Sequence, residues 1–572
     1  MRRIIYTVPT AMPVASRRIL ERWVNLAVHT VWAGLGWNAA RERSADDFHY
    51  QTPPEVVCEW DEASCSQLVL LYNEIMVKHV GDASQYFNLF GKKRQVKGCD
   101  EPMPSVRIAS IDVGGGTTDL SITTHVLTSG PSESARIVPH MEFRDGFNLA
   151  GDEIVREVVR TMVIPALEKT LEKHELAPRN VILSLFGRYT QNKTEEQRVR
   201  QGQFVRQVAV PAALGILHAC ELMDRDDSRV YVCRLGDFFE KPVQETKVRK
   251  SARNEAEQET GDASGENTED SGRISYVPDQ LSPQPQRKVM EYAQNILRDC
   301  GAREDIDLGE VRLVFSLDAV SECIRRTLGD TLSSLCEMVN LYDADLLLLT
   351  GRPSSWKGVI QTVLAKTPLP PSRVIAMRSY NVGSWYPCAD LFGRIADPKT
   401  TVVVGAILCA LSSGNLEGIN FDAARMRMTS TARYVGELNL QGQLEAAKVW
   451  FVVNEDGSVE PEEQTITYHS PITVGYRQLA VDRWPASAYY KLDFQDKTGH
   501  GPYKVKVALS RDESRNRPQN DEEPAQAEGT IIVREILGPD GRIIPPRFMQ
   551  ASLQTLPSID GYWLDSGIIT ES

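Results

Sequence analysis

The stretch 108-IASIDVGGGTTDLSI-122 runs an apolar strand into three consecutive glycines, two threonines and an aspartate. Gly114, Gly115 and Gly116 let the backbone approach a bound anion without side-chain obstruction, and their N–H groups can line a phosphate nest. Thr117 and Thr118 add hydroxyl donors. Asp112 and Asp119 cannot favourably face phosphate directly. A hydrated Mg²⁺ between them and the phosphate reconciles the two, because Mg²⁺ keeps waters and takes few carboxylates. A flexible hairpin could also collect three glycines. The full Asp-x-Gly-Gly-Gly-Thr-x-Asp string after an apolar strand points instead to a nucleotide phosphate. It is not a Walker A loop, since no Gly-Lys-Ser/Thr occurs in the chain.

Outward from this hairpin, strands and helices alternate, which means α/β architecture. The run 4-IIYTV-8 has the pattern of a strand buried on both faces. Pro9 and Pro13 end it. An amphipathic helix follows, with Ile19, Trp23, Leu26, Ala27, Val31 and Leu35 at helical spacing. The strand 55-EVVCEW-60 leads into a helix from about Ala63 to Val80, and another helix starts beside Gly151 and covers 152–170. Leu317, Val320, Ile324, Leu328, Leu332, Leu335 and Val339 mark one long helix with a single apolar stripe. Asp345–Thr350 reads as a buried strand, followed by the turn 351-GRPSS-355. From Thr246 to Gly272 the apolar side chains are Val248 and three alanines, so this stretch is expected to be a disordered insertion.

Past residue 415 the pattern changes to strands. Tyr503, Val505, Val507 and Leu509 alternate with lysines, and 449-VWFVVNEDGSVE-460 and 531-IIVREILGPDGRII-544 read as hairpins around Asp-Gly turns. A polar loop at 511–528 interrupts this region.

The 572 residues suggest three or four domains, at about 150 residues each. The formal net charge of −13 argues against nucleic-acid binding. The one compact basic cluster, Lys92-Lys93-Arg94, reads as a solvated loop. The ten cysteines form no Cys-x-x-Cys pair and have no histidines at ligand spacing, which fits a reduced cytoplasmic protein with idle thiols. No apolar run is long enough for an integral membrane segment.

These motifs together resemble the actin/Hsp70/sugar-kinase superfamily of ATPases over residues 1–411. The segment 4-IIYTVPTAMPVASRRILERWVNLA-27 looks like the Thr-Val-Pro strand and helix of the Hsp70 branch. 61-DEASCSQ-67 is similar to its first connecting motif, with Glu62 at the glutamate. 112-DVGGGTTD-119 is similar to its second phosphate motif, 146-GFNLAGDEIV-155 to its Leu-Gly-Gly-Glu-Asp segment with a departure at Ala150, and 345-DLLLLTGRPSSW-356 to its adenosine motif with Thr350 replacing the first glycine. 405-GA-406 fits the second connecting motif. More narrowly, 380-YNVGSWYPCADLFGRIADPKTTVVVGA-406 and 553-LQTLPSIDGYWLDSGIIT-570 resemble the bacterial SrfB family of virulence factors.

The resemblance implies an actin-like ATPase fold with ribonuclease H-like lobes over 1–411, and a separate β-rich domain over 415–572. It implies ATP and Mg²⁺ as cofactors. Asp112 would orient metal-bound water, Glu62 would position the attacking water and Thr117 would donate to the γ-phosphate. Gly114, Gly115, Gly116, Thr117, Thr118, Gly151 and Asp152 would hold phosphate. Gly351, Arg352, Pro353 and Ser354 would back the adenosine. Asp112 and Asp119 would hold the metal through water. Arg325 and Arg326 read as solvated surface rather than adenine contacts.

The superfamily clamps phosphate between two hairpins, the first an Asp-x-Gly-Thr in the opening strand. No convincing copy is found here, and the chain is therefore expected to be the C-terminal part of a longer SrfB-like protein. Its expected activity is a nucleotide-dependent conformational switch with protein partners. The alternative is an inactive scaffold that keeps the ATPase fold.

Overall fold

A computed structural model describes residues 3–10, 12–37, 52–96, 101–128, 135–187, 194–223, 227–241, 273–412, 416, 418–426, 432–454, 458–494, 502–510, 530–554 and 568. The expected insertion at 246–272 and the polar loop at 511–528 lie outside these residues. The chain divides into two compact units. One comprises Met1–Asp152, Leu328–Ser355 and Val359–Gly561; the other comprises Glu153–Thr327, Trp356–Gly358 and Tyr562–Ser572.

The first unit is built on a mixed seven-stranded sheet. Met103–Val113, Thr118–Leu127 and Ala135–Phe147 run antiparallel in sequence order. Leu346–Thr350 lies parallel to Met103–Val113 on the far side, and Val374–Ala376 is parallel to it in turn. Ile419–Phe421 pairs in parallel with the start of Ala135–Phe147. Leu346–Thr350 is buried at every position, as a strand covered on both faces must be.

The helix Glu62–Tyr72 packs on this sheet and is itself covered by Thr400–Leu411. Ala63–Leu71 is buried at every position and Thr400–Leu411 is apolar beyond its first two residues, which is why neither shows a simple stripe. Leu68, Leu71, Val404 and Leu408 join Val106, Ile108 and Leu348 in one core. The helix after Asp61 is shorter than its sequence pattern predicts: it ends at Tyr72 and continues as a wider turn over Asn73–Lys78.

Two expectations are corrected. Lys92–Arg94 is a strand antiparallel to Met103–Val113 rather than a solvated loop. Arg94 pairs with the buried Asp345 at 2.7 Å, and Lys92 with Asp343 at 2.8 Å, so carboxylates beyond the local sequence draw the run into the sheet. The run 4–8 is not buried on both faces. Arg3–Ile5 pairs in parallel with Glu55–Val57 in a two-stranded sheet, and too little of the chain packs over it to bury it. The helix Val14–Gly34 forms as expected, yet Trp23, Leu26 and Val31 on its apolar stripe are exposed.

The β-rich region forms a six-stranded and a four-stranded antiparallel sheet. Val474 and Leu492 of one share a core with Val505, Val507 and Ile536 of the other. The alternation read from Tyr503–Ser510 therefore marks one face of a two-sheet packing. Both expected hairpins form: Val449–Val453 pairs with Val459–Glu460, and Thr530–Leu537 with Ile543–Ile544.

The second unit is mainly helical, with a small sheet of Arg273–Ser275, Val230–Arg234 and Arg312–Phe315. The long helix predicted from its stripe spans Leu317–Leu341, beginning in this unit and from Leu328 belonging to the first, and all seven stripe residues are buried. Arg325 and Arg326 are exposed and pair with Glu322. No helix of the described residues is long and apolar enough to cross a membrane. The nine described cysteines are free thiols.

Candidate functional site

The glycine hairpin is a tight turn at the end of the two central antiparallel strands. Val113 and Thr118 are its last strand pair, and Asp112 stands directly opposite Asp119. Gly114 N–H donates to Thr117 O at 2.8 Å, closing the turn. A Cβ on Gly116 would meet nothing within 4 Å, so the crest of the turn is open.

Both aspartates are buried, Asp112 at 3% and Asp119 at 1% exposure. Burial pushes Asp112 up to about 7; nearby Glu62 and Asp61 add to the rise and Lys399 opposes it. Burial also holds Asp119 well above the usual carboxylate range, and Asp112 adds to this. Thr117 Oγ1 donates to Asp119 Oδ2 at 2.9 Å. Asp119 Oδ1 is buried without a hydrogen-bond partner. A buried acceptor in this state calls for a donor. The waters of a hydrated divalent cation would supply one, so the pair fits Mg²⁺ held through water. Among the described residues no three His, Cys, Asp or Glu side chains are grouped to hold a metal by themselves.

Two distant segments clasp the turn. Gly151 N–H donates to Gly114 O at 3.0 Å, and Asp152 N–H to Gly115 O at 2.7 Å. These two amides at the start of a helix are thus engaged by the glycine turn. The Asp152 carboxylate lies over Gly115, 3.5 Å from where a Cβ would stand. Thr118 is buried, and its hydroxyl donates to Leu149 O at 2.7 Å. On the other side Gly351 has φ +79°, and a Cβ there would lie 2.1 Å from Val113 O and 2.4 Å from Asp112 Oδ1. Only glycine allows this approach. Pro353 packs on Gly151, Ser354 Oγ donates to Gly351 O at 2.6 Å, and Arg352 is exposed.

The third contribution comes from two helix starts. Asp61 caps Glu62–Tyr72, accepting from Ser64 N–H at 2.9 Å and from Thr10 Oγ1 at 3.0 Å. Glu62 follows it, and burial raises its pKa while Lys399 works against the rise. Ser66 Oγ lies 2.9 Å from Thr401 Oγ1, which lies 3.1 Å from Thr350 Oγ1. Thr350 is the strand partner of Asp112. This hydroxyl triad ties both helices to the strand end that carries the aspartate. A Cβ on Gly405 would lie 2.1 Å from Cys65 O, so glycine lets the two helices cross closely enough for the triad to form.

The sequence matches the family described as "Virulence factor SrfB" over residues 1–570. The chain belongs to the SrfB family. No curated protein matches it. The SrfB match runs through the hairpin, the helical unit and the β-rich strands alike.

In this SrfB chain, sequence reasoning missed four residues of the site. Asp61 and Arg144 form a buried pair at 3.1 Å. Lys399 and Thr401 sit at the start of Thr400–Leu411. The available signals were Arg144 near the buried end of its strand and the polar 397-DPKTT-401 just before the Gly405-Ala406 pair. A cavity of about 100 Å³ adjoins the hairpin, walled by Thr117, Asp119 and Asn148 on one side and by Pro13, Tyr476 and Ser487 on the other. The β-rich region therefore reaches the site directly.

Proposed function

We propose that this SrfB protein binds Mg-ATP at the glycine hairpin and acts as a nucleotide-dependent conformational switch, on an actin-like ATPase framework. One observation carries the reading. Segments 61–67, 112–119, 146–152, 350–354 and 401–405, far apart in sequence, meet at one end of one sheet. Glycine turn, opposed aspartates and an adjoining carboxylate are the parts that phosphoryl chemistry uses for positioning and charge neutralisation.

In this reading the Gly115 and Gly116 backbone holds phosphate, joined by Thr117 once its hydroxyl turns from Asp119, while Asp112 and Asp119 orient the waters of Mg²⁺. The cation supplies charge neutralisation, which also draws the two carboxyl groups into their ionised form. Glu62 positions the attacking water. The β-rich region senses occupancy through the cavity wall and passes it to protein partners in the cytoplasm.

Calorimetry with Mg-ATP on the full chain tests the assignment. Wild type binds and Asp112→Ala does not; equal binding by both refutes it. A second reading, a scaffold without turnover, draws on the hydroxyls of Thr118 and Ser354, which are spent on backbone carbonyls. Phosphate release separates the two: a scaffold binds nucleotide and releases none.

A further inference from the structure

The site collects Asp61, Glu62, Asp112 and Asp119, and among the described residues only Asp61 has a buried cation, Arg144, as its ion-pair partner. A triphosphate cannot approach such a cluster unless positive charge meets it, and Mg²⁺ alone leaves the complex anionic. Lys399 is placed to supply that charge. It is the N-cap of Thr400–Leu411, two residues before Thr401, whose hydroxyl is joined to Ser66 and Thr350. Ser66 in turn donates to Glu62 O at 3.2 Å, and Thr350 is paired with Asp112. These links hold Lys399, Glu62 and Asp112 at one mouth. The Lys399 backbone N–H donates to Asp397 Oδ1 at 3.0 Å, which fixes the main chain. The side chain is exposed, and no ion pair within the described residues commits its ammonium. Its charge acts on both Glu62 and Asp112.

We propose that Lys399 is the cation that faces the terminal phosphate of a nucleoside triphosphate at this site and gives it preference for tri- over diphosphate. The inference rests on the Mg-ATP reading above. Lysine suits the role as a compact point charge on a flexible stem, and the positive end of the Thr400–Leu411 helix dipole adds to it.

The test titrates the full-length protein with Mg-ATP and with Mg-ADP, in wild type, Lys399→Gln and Lys399→Arg. A thermal melt of each variant checks folding. Lys399→Gln is expected to weaken Mg-ATP by roughly tenfold while Mg-ADP changes by less than about twofold. Lys399→Arg should restore most of the loss, and raising salt should weaken wild-type Mg-ATP binding more steeply than that of Lys399→Gln. If wild type binds neither nucleotide, the ATP reading fails and this assignment with it. If wild type binds and Lys399→Gln binds Mg-ATP equally well, or loses both nucleotides equally, the assignment to Lys399 alone is overturned.

Discussion

Trp484 and Asp145 fasten the β-rich region to the central sheet: the indole N–H donates to Asp145 Oδ2 at 2.7 Å, with both residues buried. The ring sits edge-on between Phe143 and Phe147, at centroid distances of 5.9 and 5.5 Å. Asp145 is followed by Gly146, the strand partner of Asp119. Trp484→Phe keeps the aromatic packing and removes one donor from a buried carboxyl group. The expected loss of stability is about 1–3 kcal/mol. Urea unfolding measures it, and an unchanged midpoint would show that the bond does not fasten the region.

Asp145 also predicts a pH dependence. Burial pushes its pKa up to about 7, with the Trp484 and Gly146 N–H groups opposing the rise. The folded state therefore holds the Asp145 proton in a window where the unfolded chain has released it. Its stabilising contribution is complete below about pH 4, where both states are protonated, and is lost as pH rises to about 7. Asp145→Asn carries no such proton. The stability of wild type relative to Asp145→Asn should fall between pH 4.5 and 7.5, read from paired denaturation curves. Parallel curves would remove Asp145 as the source.

Gly405 sets how closely two helices cross. Its added Cβ would meet Cys65 O at 2.1 Å and Cys65 C at 2.5 Å, and this is backbone that cannot rotate away. Gly405→Ala should cost about 1–3 kcal/mol through overpacking. It should also pull Thr401 off Ser66 and so weaken nucleotide binding beyond the loss of stability. Thermal unfolding together with Mg-ATP titration checks both parts.

The Arg144–Asp61 pair is almost wholly excluded from water, with side-chain exposures of 2% and 0%. Arg144→Met leaves a buried carboxylate without its cation, at an expected cost of about 3–5 kcal/mol. The double variant Arg144→Met/Asp61→Asn should recover part of that cost. Chemical denaturation of the three proteins decides it, and a double variant no better than the single one would show that the charge is not what matters.

Much of the fold was legible because its signals are local. The stripe from Leu317 to Val339 repeats at helical spacing within one element, so the helix could be placed without knowing its neighbours. The hairpin was legible for the same reason: three glycines between two strands permit a tight turn, and strand pairing then sets Asp112 against Asp119. Alternation along Tyr503–Ser510 located a buried face before its partner sheet was known.

Burial and long-range partners were not legible. The stripe on Val14–Gly34 looks like any core-facing helix, yet Trp23 is 62% exposed, because amphipathicity names a face and not what covers it. Lys92-Lys93-Arg94 reads as solvent-facing until Asp343 and Asp345, some 250 residues away, draw it into a sheet. Thr350, a lone hydroxyl at the end of an all-leucine strand, gains its place from Thr401 and Ser66.

The amino-acid sequence by itself determined the strand-turn-strand form of the hairpin and the kind of most elements around it, since turn geometry and side-chain periodicity act over a few residues. Only the tertiary structure decided what surrounds Asp112 and Asp119. Thr401, Lys399 and Tyr476 reach that neighbourhood from segments hundreds of residues away, and the neighbouring strand brings Arg144 onto Asp61, contacts that leave no local pattern in the chain.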